Sequence, residues 1–125
     1  MEIIISYSST KPLYEQIANQ VKEQIMNGSL APGERLPSIR MLANSLRVSV
    51  ITTKRAYTDL EAQGFIETVQ GKGCFVAGSN AELIREERLR EVEGHLAAAI
   101  DAAAAIGLTE GEIIDLLKTL LECEG

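Results

Sequence analysis

The hydrophobic period of this chain changes at Gly64, and that change limits what it can fold into. Upstream, apolar residues recur every three or four positions. From Phe65 to Val76 they alternate, and from about residue 80 the helical spacing returns. A helix shows one face every ~3.6 residues and a strand every second residue, so the order reads as helices, one hairpin, then helices again. A length of 125 residues allows one small domain, or a small domain with an appendage.

A short apolar run, Glu2 to Tyr7, is a strand candidate, and Pro12 suits the first turn of the helix that follows. That helix is expected over about Leu13 to Asn27, with Leu13, Ile17, Val21 and Ile25 on one face and Asn27-Gly28 as its stop. The segment 30–37 holds two prolines and a glycine and must be a turn-rich link. Ser38 is placed to cap a second helix running to about Leu46 and burying Ile39, Leu42, Ala43 and Leu46. After Arg47-Val48-Ser49, a third helix capped by Ser49 turns Thr53, Ala56, Tyr57 and Leu60 inward and leaves Val50, Ile51, Thr52, Lys54, Arg55 and Thr58 outward. Two short helices joined by a tight turn make a helix-turn-helix. The runs 65–69 and 74–76 then form a hairpin whose tip, Gln70-Gly71-Lys72-Gly73, lets backbone and one charge approach a phosphate. Behind a helix-turn-helix, such a hairpin reads as a wing.

A long helix follows from Asn80 to about Ile106, stopped by Gly107, with Leu89, Val92, Leu96, Ile100 and Ala103 in a stripe. Thr109 to Glu112 has capping-box spacing and opens a last helix expected to bury Ile113, Leu116, Leu117, Leu120 and Leu121. Two helices side by side leave half of such stripes wet, so a second copy of the chain is the simplest cover, with packing back on the winged domain as the alternative. The expected fold is therefore α+β and mainly α: a winged helix-turn-helix over 1–77 and a two-helix dimerisation hairpin over 78–125. Leu89, Val92, Leu96, Ile100, Ile113, Leu117 and Leu120 are its expected interface.

The net charge of −6 looks wrong for a nucleic-acid binder until it is divided. Residues 1–77 carry eight Lys and Arg against seven Asp and Glu, while 78–125 carry four against eleven. The acid belongs to the tail, and the first half is free to face a polyanion. No run approaches the ~20 apolar residues of a membrane span, and the start MEIIISYSSTK lacks the pattern of a signal peptide, so a cytoplasmic protein is expected. Cys74 and Cys123 stand far apart and suggest neither a disulfide framework nor a metal site. His95, the sole histidine, has Glu91 as its i−4 neighbour, but two ligands are too few for structural zinc. An enzyme is not expected, nor a cofactor.

The stretches Pro12-Leu13-Tyr14-Glu15-Gln16-Ile17, Gly28-Ser29-Leu30-Ala31-Pro32-Gly33-Glu34-Arg35-Leu36-Pro37-Ser38-Ile39-Arg40 and Ala56-Tyr57-Thr58-Asp59-Leu60-Glu61-Ala62-Gln63-Gly64-Phe65-Ile66, with the tip Gly71-Lys72-Gly73, resemble the N-terminal domain of the GntR family of bacterial regulators. The resemblance covers residues 12–77, and the short two-helix tail is similar to that of the YtrA-type subgroup. It implies a dimeric repressor, for example of a transporter operon, binding a palindromic operator in double-stranded DNA through a recognition helix at 49–63 and a wing at 70–73. By the same resemblance Arg40, Ser49, Val50, Ile51, Thr52 and Lys54 are DNA contacts from the helices, and Gln70, Gly71 and Lys72 from the wing. Val50 departs from the pattern, which in several members has an arginine there. Helix geometry adds Arg55 and Arg47. The rival reading is a winged-helix module for protein association, against which stands the polar surface of Arg40, Thr52, Lys54 and Lys72. A two-helix tail has little room for an effector pocket, so such a site would form between subunits.

Overall fold

The computed structural model describes residues 1–78 and 81–124. They divide into two compact units, Met1–Ile84 and Arg85–Gly125. The elements in chain order are α1 (Leu13–Met26), α2 (Ile39–Leu46), α3 (Val50–Ala62), β1 (Ile66–Val69), β2 (Gly73–Val76), α4 (Ala81–Ala105) and α5 (Glu110–Glu124). The architecture is α+β and mainly helical. The expected start of the fourth helix at Asn80 lies outside the described residues.

In the first unit, α1 packs on α3, α3 on α2, and β1 against α3. The core gathers Ile17 and Val21 of α1, Leu60 of α3, Phe65, and Val76 of β2, all fully enclosed. Burial of each is worth about 1.5–3 kcal/mol. Thr53 is enclosed as well, and its hydroxyl donates to the Ser49 carbonyl at 3.2 Å, so the buried polar group is satisfied. Pro12 sits one residue before α1 rather than inside its first turn, and its carbonyl accepts the N–H groups of Glu15 and Gln16 at 3.1 Å. A missing donor is harmless at either place.

The N-terminal run does not become a strand. Residues 2, 4 and 6 pair with glutamine side chains from successive turns of α1. Gln20 exchanges two hydrogen bonds with the backbone of Ile4, at 2.8 and 2.7 Å, Gln16 exchanges two with that of Ser6, both at 2.9 Å, and Gln24 donates to the Glu2 carbonyl at 2.7 Å. Ile3 enters the core, and Ile5 packs against it. The apolar run suggested a strand, but primary amides at i, i+4 and i+8 of a helix supply what a neighbouring strand would have.

The link 30–37 does more than turn. Gly33 and Leu36 donate to the carbonyls of Val76 and Cys74, at 2.9 and 2.8 Å, and Val76 donates to that of Glu34 at 2.8 Å. Arg35 forms an antiparallel bridge with Phe75. The run thus covers the free edge of β2. β1 and β2 pair antiparallel with Ile66 opposite Val76 and Val69 opposite Gly73, so Gly73 begins a strand and the tip is Gln70 to Lys72.

The second unit is a helical hairpin. α4 ends in a Schellman motif: Gly107 is left-handed (φ 73°), its N–H donates to the Ala104 carbonyl, and that of Leu108 donates to Ala103. The expected capping box forms, with Thr109 N–H donating to Glu112 at 3.0 Å and Glu112 N–H to the Thr109 hydroxyl at 3.2 Å. Ala103 is buried and Ile113 partly so, whereas Leu116, Leu117, Leu120 and Leu121 lie open in the single chain. Two helices cannot enclose both of their stripes without a third surface.

Candidate nucleic-acid interface

Both helices of the helix-turn-helix begin with a side-chain cap. The Ser38 hydroxyl accepts from Met41 N–H at 3.1 Å, and the Ser49 hydroxyl accepts from Thr52 N–H at 3.0 Å. Arg40 lies in the first turn of α2 and is exposed. Between the helices, Arg47 takes a left-handed backbone (φ 57°), which lets Val48 N–H reach back to the Ala43 carbonyl at 3.1 Å and turns the chain into α3. Tyr57 locks the arrangement from below: its hydroxyl donates to the Pro37 carbonyl at 2.8 Å. Burial, with a lesser contribution from Cys74, holds that phenol well above its ordinary ionisation range.

With Thr53, Ala56, Tyr57 and Leu60 buried, the opposite side of α3 faces solvent. Lys54 and Arg55 are exposed, and Ile51 is 82% exposed. Thr52 is half-buried, and its hydroxyl accepts from the Ser49 hydroxyl at 2.7 Å and keeps its own proton to donate. The Arg55 guanidinium lies 3.7 Å from the centre of the Tyr14 ring, a cation–π contact that holds it toward α1.

The hairpin tip presents Gln70, Gly71 and Lys72, all exposed. Gly71 (φ 80°) needs glycine's conformational freedom. Gly73 also has a positive φ (117°), and Arg35 lies close by: a side-chain carbon at Gly73 would stand 3.4 Å from its Nε. Sequence reasoning missed Arg35, because a lone arginine between two prolines gives no sign that its backbone will lie beside the wing. It missed Tyr14 as the seat of Arg55 because a pairing between two helices leaves no periodic trace.

In the second unit Leu89, Val92, Leu96, Ile100, Leu117 and Leu120 are exposed. Between α4 and α5 runs an apolar groove of about 330 Å³ bordered by Leu96, Ile100, Ala103, Leu108, Ile113 and Leu117. Among the described residues no helix is long and apolar enough to cross a membrane.

The model of the bacterial regulatory proteins of the gntR family matches residues 13–76. The chain is 31% identical over 118 residues to the HTH-type transcriptional repressor YtrA of Bacillus subtilis (strain 168), which covers 94% of this chain and 91% of that relative. A crystal structure of a transcriptional regulator from Oenococcus oeni matches with a TM-score of 0.79 at 26% identity, over 94% of this chain and 97% of that one. AraR(DBD), solved in complex with operator ORX1, matches with a TM-score of 0.55 at 30% identity, over 62% of this chain and 96% of that one. The family pattern spans the helix-turn-helix and its hairpin, and relatives of similar length align along nearly the whole chain. The chain therefore belongs to the gntR family of bacterial regulatory proteins: it is a transcriptional regulator with a DNA-binding domain and YtrA-type relatives, and not an enzyme.

Proposed function

We propose that this chain is a dimeric repressor acting in the cytoplasm, in which residues 1–77 bind a palindromic operator and residues 78–125 hold two copies together. The observation that carries the reading is the open outward side of α3, where Lys54 and Ile51 stand exposed beside a helix bearing exposed Arg40. α3 is offered to the major groove, while Gln70, Gly71 and Lys72 contact the backbone or the minor groove. AraR(DBD), whose fold this unit shares, was solved on operator DNA, which supports the docking mode. The name of YtrA as a repressor supports repression. A transporter operon is the regulated unit we favour.

The test is binding of the full chain to duplexes from the DNA upstream of its own gene, followed against salt. With ~3 phosphates neutralised per subunit, log K should fall with log salt at a slope near −5 for a dimer. Lys54→Ala should lose discrimination among sequences, and Lys72→Ala should weaken all of them alike. A flat salt response, or identical behaviour of the two variants, would overturn the assignment.

A further inference from the structure

The outward side of α3 carries more than charge, and its apolar part points to a particular base. This inference rests on the DNA-binding reading and deepens it. Ile51 is 82% exposed and Val50 47%, so two branched apolar side chains stand in water on the first turn of a helix that buries its other side well. Their polar neighbours each have a partner within the chain. The Ser49 hydroxyl caps the helix and donates to that of Thr52, and the Arg55 guanidinium rests on the Tyr14 ring. Beside the Thr52 hydroxyl, which keeps its own proton to donate, Val50, Ile51 and Lys54 stand exposed on the first turns. Lys54, three residues beyond Ile51, supplies the positive charge that brings a polyanion to this side.

In the major groove the edges of guanine, cytosine and adenine offer hydrogen-bond donors and acceptors, which an aliphatic side chain cannot satisfy. Thymine offers one apolar group, its 5-methyl. We propose that Ile51, flanked by Val50, selects a thymine in each half-site by burying that methyl group. The step is binding alone, with no bond made or broken.

The experiment removes the methyl and nothing else. Duplexes are selected on the full chain from a random pool at fixed salt. Each thymine of the winning sequence is then replaced by deoxyuridine, in both half-sites together, and affinities are measured for the wild type and for Ile51→Ala. Burying one methyl group is worth roughly a fourfold change in affinity, so the paired replacement should weaken wild-type binding about ten- to twentyfold at one symmetric position. Ile51→Ala should bind the thymine and uracil duplexes equally, and the cycle isolates the contact from any change in DNA shape. Because Ile51 is exposed, its replacement leaves the fold intact, which an unchanged melting temperature checks. Equal binding of thymine and uracil duplexes by the wild type overturns this inference alone. Enrichment of no duplex overturns the DNA-binding reading as well and returns the apolar pair to a protein partner.

Discussion

Arg47 shows how one residue sets the geometry of the helix-turn-helix. Among the described residues it is the non-glycine with a positive φ, at the point where α2 must stop and α3 begin. A left-handed backbone costs an ordinary residue about 1–2 kcal/mol. Arg47→Gly is therefore expected to raise stability by about 1 kcal/mol, or a melting temperature by about 5 °C, in thermal denaturation followed by circular dichroism. If Arg47 also meets a phosphate, the same variant loses DNA affinity as it gains stability. Tyr57 makes the complementary case. Its folded phenol ionises above the ordinary value near 10, so above that pH the unfolded chain gives up a proton that the folded chain keeps, and stability declines as pH rises. Tyr57→Phe should abolish that alkaline decline and cost about 1 kcal/mol at neutral pH, because the Pro37 carbonyl loses its donor. Denaturant titrations at pH 8 and pH 10.5 check both. Ser38, Ser49 and the inward stripe of α3 were legible as sequence because caps and helical spacing are local. The contacts of Tyr57 with Pro37 and Arg55 with Tyr14 were not, since they join residues brought together by packing.

The elements divide along the same line. Helix limits follow from Pro, Gly and Ser at the ends, and the hairpin from alternation around a glycine-rich tip. The N-terminal run was apolar enough to suggest a strand, yet its partner is a column of glutamines on α1 that also reads as an ordinary polar helix face. Gln16 is buried and bonds to Ser6 and Lys11, whereas Gln20 is more open and, among the described residues, bonds to Ile4. Gln16→Ala is expected to cost about 2–3 kcal/mol and Gln20→Ala under about 1 kcal/mol, because unpaired groups are costly mainly where water cannot replace the partner. Hydrogen exchange should show the Ile4 amide losing protection in Gln20→Ala while the core amides keep theirs. In the tail, hydrogen bonds from Thr109, backbone first and hydroxyl second, hold the Glu112 carboxyl below its usual range. A lowered folded pKa stabilises α5 above the ordinary glutamate range near 4.5 and loses that contribution as pH falls through the lowered value. Helicity of the full chain between pH 6 and pH 3 should fall less in Glu112→Gln than in the wild type.

For the whole molecule, the division of charge and the open apolar stripe of the tail belong to one design. An acidic tail adds nothing to DNA affinity by itself, and in the dimer proposed above its part is to pair two basic-leaning domains. Leu96→Asp combined with Leu117→Asp should give a monomer by light scattering, and the loss of the second half-site should weaken operator binding about a hundredfold. A dimer that persists in this double variant would place the interface elsewhere. Local chemistry along the chain determined the helices, their caps, the wing and the family, because each depends on neighbours within a few residues. Tertiary structure alone decided that the N-terminal run is held by glutamines, that the proline-rich link guards an edge of β2, and that Arg55 is turned aside while Ile51 is left facing outward. Those outcomes depend on which surfaces meet across long separations, and no spacing within a single segment records that.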